Sequence, residues 1–141
     1  MRRILTALLA ATALAGAFQT ASAEALGPSR CYQWDIDQPR FNQSNGWVVQ
    51  FDFRQAGFRT FGGQARTWDN RGNFAGFGTV QGTMIDDDLN FSIRWNSGAT
   101  GIYYSRLNRF GQAFGTTWDM YRPSSQATWW MVNSARCLRW A

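Results

Sequence analysis

Leu89-Asn90-Phe91-Ser92-Ile93-Arg94-Trp95-Asn96-Ser97-Gly98 is the stretch on which the fold turns. Phe91, Ile93 and Trp95 alternate with Ser92 and Arg94, which is the period of a strand with one buried face. Asn96-Ser97-Gly98 is a turn signal. The chain then runs out again through Ile102-Tyr103-Tyr104 and turns near Asn108-Arg109. It continues to Met120 with Phe110, Phe114, Trp118 and Met120 on one side and Gly111, Ala113, Gly115 and Thr117 on the other. Together these segments predict a three-stranded antiparallel meander.

The same pattern extends toward both ends. Upstream, Asn45-Gly46 marks a turn, and Trp47, Val49, Phe51 and Phe53 alternate with Val48, Gln50, Asp52 and Arg54 in one strand. Gln55-Ala56-Gly57 turns the chain, Phe58 to Trp68 returns, and Gly62-Gly63 reads as a bulge or a sharp coil. Asp69-Asn70-Arg71-Gly72 is the next hairpin, followed by a glycine-studded strand from Phe74 to Ile85 with Gly76, Gly78 and Gly82 on one face. Asp86-Asp87-Asp88 leads into the Phe91 strand. Cys31 to Asp37 reads as a short first strand, Arg122-Pro123-Ser124-Ser125 as a loop, and Gln126 to Val132 as the last strand. No helical period occurs after the first residues, so the expectation is an all-β antiparallel meander closing into a small up-and-down barrel of about eight strands, with a β-sandwich as the alternative.

Met1-Arg2-Arg3, the apolar run from Ile4 to Phe18 and the small residues Ala21-Ser22-Ala23 predict a signal peptide over 1–23, with no stable membrane anchor in the mature chain. Removing 23 of the 141 residues leaves 118, enough for a single domain over 24–141. Export to the periplasm or the extracellular space follows, and there Cys31 and Cys137 are expected to pair. A bridge between the ends implies that the first and last strands are neighbours.

Taking the two leader arginines from 14 basic residues leaves 12 against 9 carboxylates, too small an excess to signal nucleic-acid binding. There is no histidine and no lysine, so every basic group is a guanidinium. Nucleophilic catalysis therefore lacks its usual base, and histidine-ligated metal sites are excluded. Carboxylate chemistry by Asp35, Asp37, Asp52, Asp69 or Asp119 is the remaining catalytic option. Those aspartates fall on turns or alternating outer positions, where solvation is the ordinary outcome, and Asp86-Asp87-Asp88 lacks the spaced oxygens of a calcium loop. Binding is accordingly favoured over catalysis, with no metal and no cofactor expected.

The 8 tryptophans need a large core or a stacking surface. Adjacent aromatics in a strand face opposite ways, so one of Tyr103 and Tyr104 and one of Trp129 and Trp130 should point outward. Stacking on a ligand and burial in an interface with a second copy are both open for these. Trp47, Phe51, Phe53, Phe91, Ile93 and Trp95 are expected in the core. Gly63 to Asp69 echoes Gly111 to Asp119, each ending Thr-Trp-Asp, which suggests that Trp68 and Trp118 lie on opposite sides of one structure. The candidate ligand-binding residues are Trp68, Tyr103, Tyr104, Trp118, Asp119, Arg122, Trp129 and Trp130.

Phe74-Ala75-Gly76-Phe77-Gly78 and Phe91-Ser92-Ile93-Arg94-Trp95 resemble strands of the avidin and calycin class of small secreted eight-stranded barrels. The final avidin strands, with their Trp-Lys pair, find no match in Gln126 to Ala141, so biotin binding is not implied. The resemblance implies binding of small ligands, sugars or partner proteins without choosing among them. The aromatic and arginine side chains favour lectin-like recognition of a small molecule or glycan, and the alternative is an inhibitor that engages a hydrolase, a protein partner, through the loop at Tyr121 to Ser125.

Overall fold

The computed structural model describes residues 30–140; the signal-peptide reading of 1–23 lies outside them. All its regular elements are strands: β1 (Cys31–Asp37), β2 (Arg40–Gln43), β3 (Val48–Phe51), β4 (Arg54–Ala56), β5 (Thr60–Trp68), β6 (Phe74–Ile85), β7 (Asp88–Trp95), β8 (Thr100–Leu107), β9 (Ala113–Asp119), β10 (Arg122–Met131) and β11 (Arg136–Trp140). Eight of them close an antiparallel barrel in the order β10-β2-β3-β5-β6-β7-β8-β9. This is the expected up-and-down barrel, and closure leaves none of those eight strands as a free edge.

The remaining strands form a separate sheet, β11-β1-β4. Cys31 and Cys137 are disulfide-bonded across it with Cα atoms 5.8 Å apart. The first and last strands are thus neighbours, as expected, but they stand beside the barrel rather than in it. Barrel closure is made instead by β10 on β2, where Trp129, Trp130 and Met131 face Gln43, Asn42 and Phe41. All three strands of the small sheet connect to the same end of the barrel, and there the buried Ile36 of β1 encloses a small space together with Phe51, Phe53 and Leu89. That end is capped.

The alternation from Trp47 to Arg54 does not make one strand. β3 stops at Phe51, the chain bends through Asp52 and Phe53, and β4 leaves the barrel to pair with β1. The Phe53 ring stacks on Phe51 at 5.1 Å between centroids and fills the space above Gly63, where a Cβ would collide with it. Gly62-Gly63 therefore serves close approach and not a bulge: β5 keeps regular register with β6 from Thr60 to Thr67, and the shift comes at Thr67/Trp68. Arg122 to Ser125, expected as a loop, belongs to β10, with its irregularity between Arg122 and Ala127.

Inward residues pack as a ring of aromatics. Phe41 meets Phe51, Phe91 and Trp129 at 5.0, 5.4 and 5.1 Å between centroids, and Phe91 lies flat on Tyr103 at 4.5 Å. Burying rings of this size is a main source of stability in a small domain, at about 1.5 to 3 kcal/mol each. Small inward residues make the room: Gly78 lies against Ile93 and Trp95, and Gly82 against Phe61 and Phe91. On β9 the small residues face in and the large ones face out, so Phe114 is exposed while Ala113 is buried.

A cavity at the mouth of the barrel

The uncapped end is built from four hairpin tips whose geometry is set locally. Asn45 Oδ1 accepts the Trp47 N–H at 3.2 Å, and Asp69 Oδ1 accepts the N–H groups of Arg71 and Asn73, both at 2.9 Å. Asp119 Oδ1 accepts the Tyr121 N–H at 3.0 Å. Such bonds are why Asn and Asp hold turns. Gly46 and Gly98 complete two of the tips at φ +87° and +90°, a region closed to most side chains.

These tips surround an open cavity of about 420 Å³, a size typical of small-ligand sites. Tyr103, Gln43, Thr67 and Thr117 form its floor. Gln43 Nε2 donates to Tyr103 Oη at 3.0 Å, and the same oxygen shares a hydrogen bond with the Thr117 hydroxyl. Burial pushes the Tyr103 phenol up to about 12, against the opposing effect of its bonds to Thr117 and Gln43. It therefore stays protonated at any physiological pH and the floor is uncharged. Thr67 Oγ1 donates to the Val48 carbonyl at 2.9 Å, which leaves its lone pairs facing the cavity as acceptors.

The inner walls are indoles: Trp47 and Trp95 line the cavity with Val49 and Ala127 between them, and Trp118, on the outward face at the tip of β9, borders it at the edge. Trp118 is braced from outside by Tyr104, the two rings stacked 5.4 Å apart and 15° from parallel. The rim carries Asn96, Ser97 and Ser125, and an Asp119–Arg122 ion pair at 3.5 Å. Among the described residues Asp119 is the one carboxylate that lines the cavity.

Of the eight residues singled out in the sequence, Tyr103, Trp118, Asp119 and Arg122 come together here. Tyr104 acts from behind, on Trp118. Trp129 is core, 1% exposed, with its Nε1 donating to the Thr116 carbonyl at 3.1 Å. Trp130 points outward from the barrel wall. Trp68 also lies outside, with the guanidinium groups of Arg40 and Arg66 at 5.9 and 5.6 Å from its ring. β5 and β9 stand opposite each other in the ring, in keeping with the Trp68/Trp118 echo, yet only Trp118 reaches the mouth.

Gln43, Thr67, Thr117, Trp47 and Trp95 complete the site without having been singled out for it. Trp47 is 38% exposed and belongs to the mouth, not to the core where alternation placed it. The repeated Thr-Trp-Asp carried the signal for two of the others: it sets Thr67 and Thr117 on the inward face at the ends of opposite strands. Three of the other four candidate carboxylates are committed elsewhere, and Asp37 lies on β1 outside the cavity. Asp35 accepts from Arg54 at 2.7 and 2.6 Å and from Arg136 at 2.9 Å, Asp52 from Arg66 at 2.8 Å, and Asp69 holds its hairpin. The Arg54 guanidinium, aided by Arg136 and opposed by burial, lowers the Asp35 carboxyl to about 2. Among the described residues no three acidic, histidine or cysteine side chains are placed to share a metal ion.

No family model, characterised protein or solved structure matches this chain. The resemblance to avidin and calycin strands read from the sequence therefore finds no support in these comparisons, and it transfers no ligand.

Proposed function

We propose that the protein is a non-enzymatic binding protein whose barrel mouth holds a neutral, hydroxyl-rich small ligand, a carbohydrate unit, and that it works after export. The observation that carries this reading is the pairing of an uncharged hydrogen-bonding floor with indole walls. Tyr103, Gln43, Thr67 and Thr117 offer donors and acceptors to hydroxyl groups with no charge to neutralise. Trp47 and Trp95 offer flat apolar faces to the carbon side of a ring, with Trp118 at the edge of the mouth. A lone carboxylate in the cavity, already paired with Arg122, is the wrong complement for two-carboxylate glycoside hydrolysis. The disulfide is compatible with an exported protein, and among the described residues no helix is long and apolar enough to cross a membrane.

The test is a panel of mono- to tetrasaccharides titrated against the disulfide-bonded protein, read by tryptophan fluorescence and calorimetry. A sugar should bind, and Gln43→Ala and Trp47→Ala should each weaken it by about tenfold or more, the loss expected for a buried hydrogen bond or a stacked ring. Silence across the panel, or affinity unchanged in both variants, would refute the reading. A competing reading, capture of a hydrolase by the β9–β10 tip, is favoured by Tyr121, which is 72% exposed there. It requires a co-purifying enzyme that is released by Arg122→Ala.

A further inference from the structure

A second cavity, of about 240 Å³, lies on the outer wall of the barrel over β6, β7 and β8. Thr79, Gln81, Ser92 and Thr100 pave it, Arg94 stands among them, and Met120 and Tyr121 border it from the β9–β10 tip. The paving is continuous, because Thr79 pairs with Arg94, Gln81 with Ser92, and Arg94 with Thr100 across adjacent strands.

Two observations set this groove apart from an ordinary solvated sheet face. Arg54, Arg66, Arg106, Arg122 and Arg136 each have an aspartate partner; Arg94, like Arg30, Arg40, Arg59, Arg71, Arg109 and Arg139, has none among the described residues, and of these seven it is the one that stands in the groove. The groove also shares its rim with the barrel mouth. Thr100 lies between Ala99 and Gly101, and Met120-Tyr121 between Asp119 and Arg122, and all four of those flanking residues line the mouth. One hairpin edge separates the two cavities.

We propose that the groove is a second subsite, one that takes the anionic group of an acidic sugar unit joined to the unit held in the mouth. The inference rests on the reading of the mouth as a sugar site and extends it to a substrate class: oligosaccharides bearing a carboxylate or a sulfate. A free guanidinium presents a planar, positively charged fork of donors to such a group. The hydroxyls of Thr79, Ser92 and Thr100 and the Gln81 amide hydrogen-bond the ring hydroxyls beside it, and the exposed Tyr121 ring offers a stacking face. Mouth and groove together read two successive units, the first by shape and neutral hydrogen bonds, the second by charge.

The experiment uses matched trisaccharides, neutral, uronate-bearing and sulfated, titrated calorimetrically against the wild-type protein and against Arg94→Gln and Arg94→Lys. At least one acidic ligand should bind wild type about tenfold tighter than its neutral counterpart, the gain of charge-assisted hydrogen bonds, and the uronate and sulfate arms name the anion. That gap should narrow with added salt, vanish in Arg94→Gln while neutral affinity is kept, and survive in part in Arg94→Lys. Equal affinity for acidic and neutral ligands in wild type, or a gap that persists in Arg94→Gln, overturns the inference and leaves the mouth reading standing. Uniform weakening of every ligand by Arg94→Gln marks a structural role and also overturns it. Failure of all three ligands to bind wild type brings down both readings.

Discussion

Tyr103 sits where the packed interior of the barrel gives way to the open mouth. Its ring is fixed on Phe91 and its hydroxyl is held by Gln43 and Thr117, so a single side chain ends the core and begins the site. Tyr103→Phe keeps the ring and deletes the oxygen, leaving two buried partners short of a bond. The expected cost is about 1 to 3 kcal/mol in urea denaturation, with ligand affinity falling in parallel. Asp35 is a different kind of residue, far from the mouth and committed to structure. Its folded-state value of about 2 lies below the ordinary 3.8, so its stabilising effect is complete above the ordinary value and is lost as pH falls through the folded one. The effect amounts to at most about 2 kcal/mol and less in salt, because the Arg54 and Arg136 side chains are 54% and 70% exposed. Asp35→Asn should therefore be less stable than wild type near neutrality, and the difference should shrink toward zero between about pH 4 and about pH 2. A gap independent of pH would show that the ion pairs contribute nothing.

At the scale of the elements, the small sheet β11-β1-β4 and the barrel are joined but separately held. The disulfide spans 106 residues of sequence yet ties only β1 to β11, while the barrel closes through β2 and β10. Replacing both cysteines, as Cys31→Ser with Cys137→Ser, should cost about 4 to 5 kcal/mol by the chain-entropy argument. Hydrogen exchange should then quicken most in β1, β4 and β11, with β6 to β9 the best protected. Uniform loss of protection would mean that the sheet and the barrel unfold as one unit. This division was hard to read in the sequence for a physical reason. Alternation runs unbroken from Trp47 to Arg54, because a strand that leaves one sheet for another keeps its period of two while changing its partners. Tyr103 and Tyr104, by contrast, were legible as an inward and outward pair, since the pleat alone decides that.

For the molecule as a whole, class and ring closure were readable because hairpin turns and alternation are local signals. The mouth was only half readable. Trp118, Asp119 and Arg122 announce themselves by residue type, whereas Gln43, Thr67 and Thr117 look like ordinary solvated positions until closure turns them inward. Their single polar side chains in otherwise apolar inward rows mark the level at which the filled barrel stops and the vessel begins. The capped far end has a kinetic meaning. Since Ile36 and its sheet stopper that side, a ligand bound as proposed would have one doorway, and the same hairpin tips it met on arrival would have to let it out again. The floor sets how tightly a bound molecule is held, while the tips set how fast it passes in either direction: stiffening them should lengthen the stay of a bound molecule while slowing its capture in the same proportion, so that occupancy at equilibrium hardly moves.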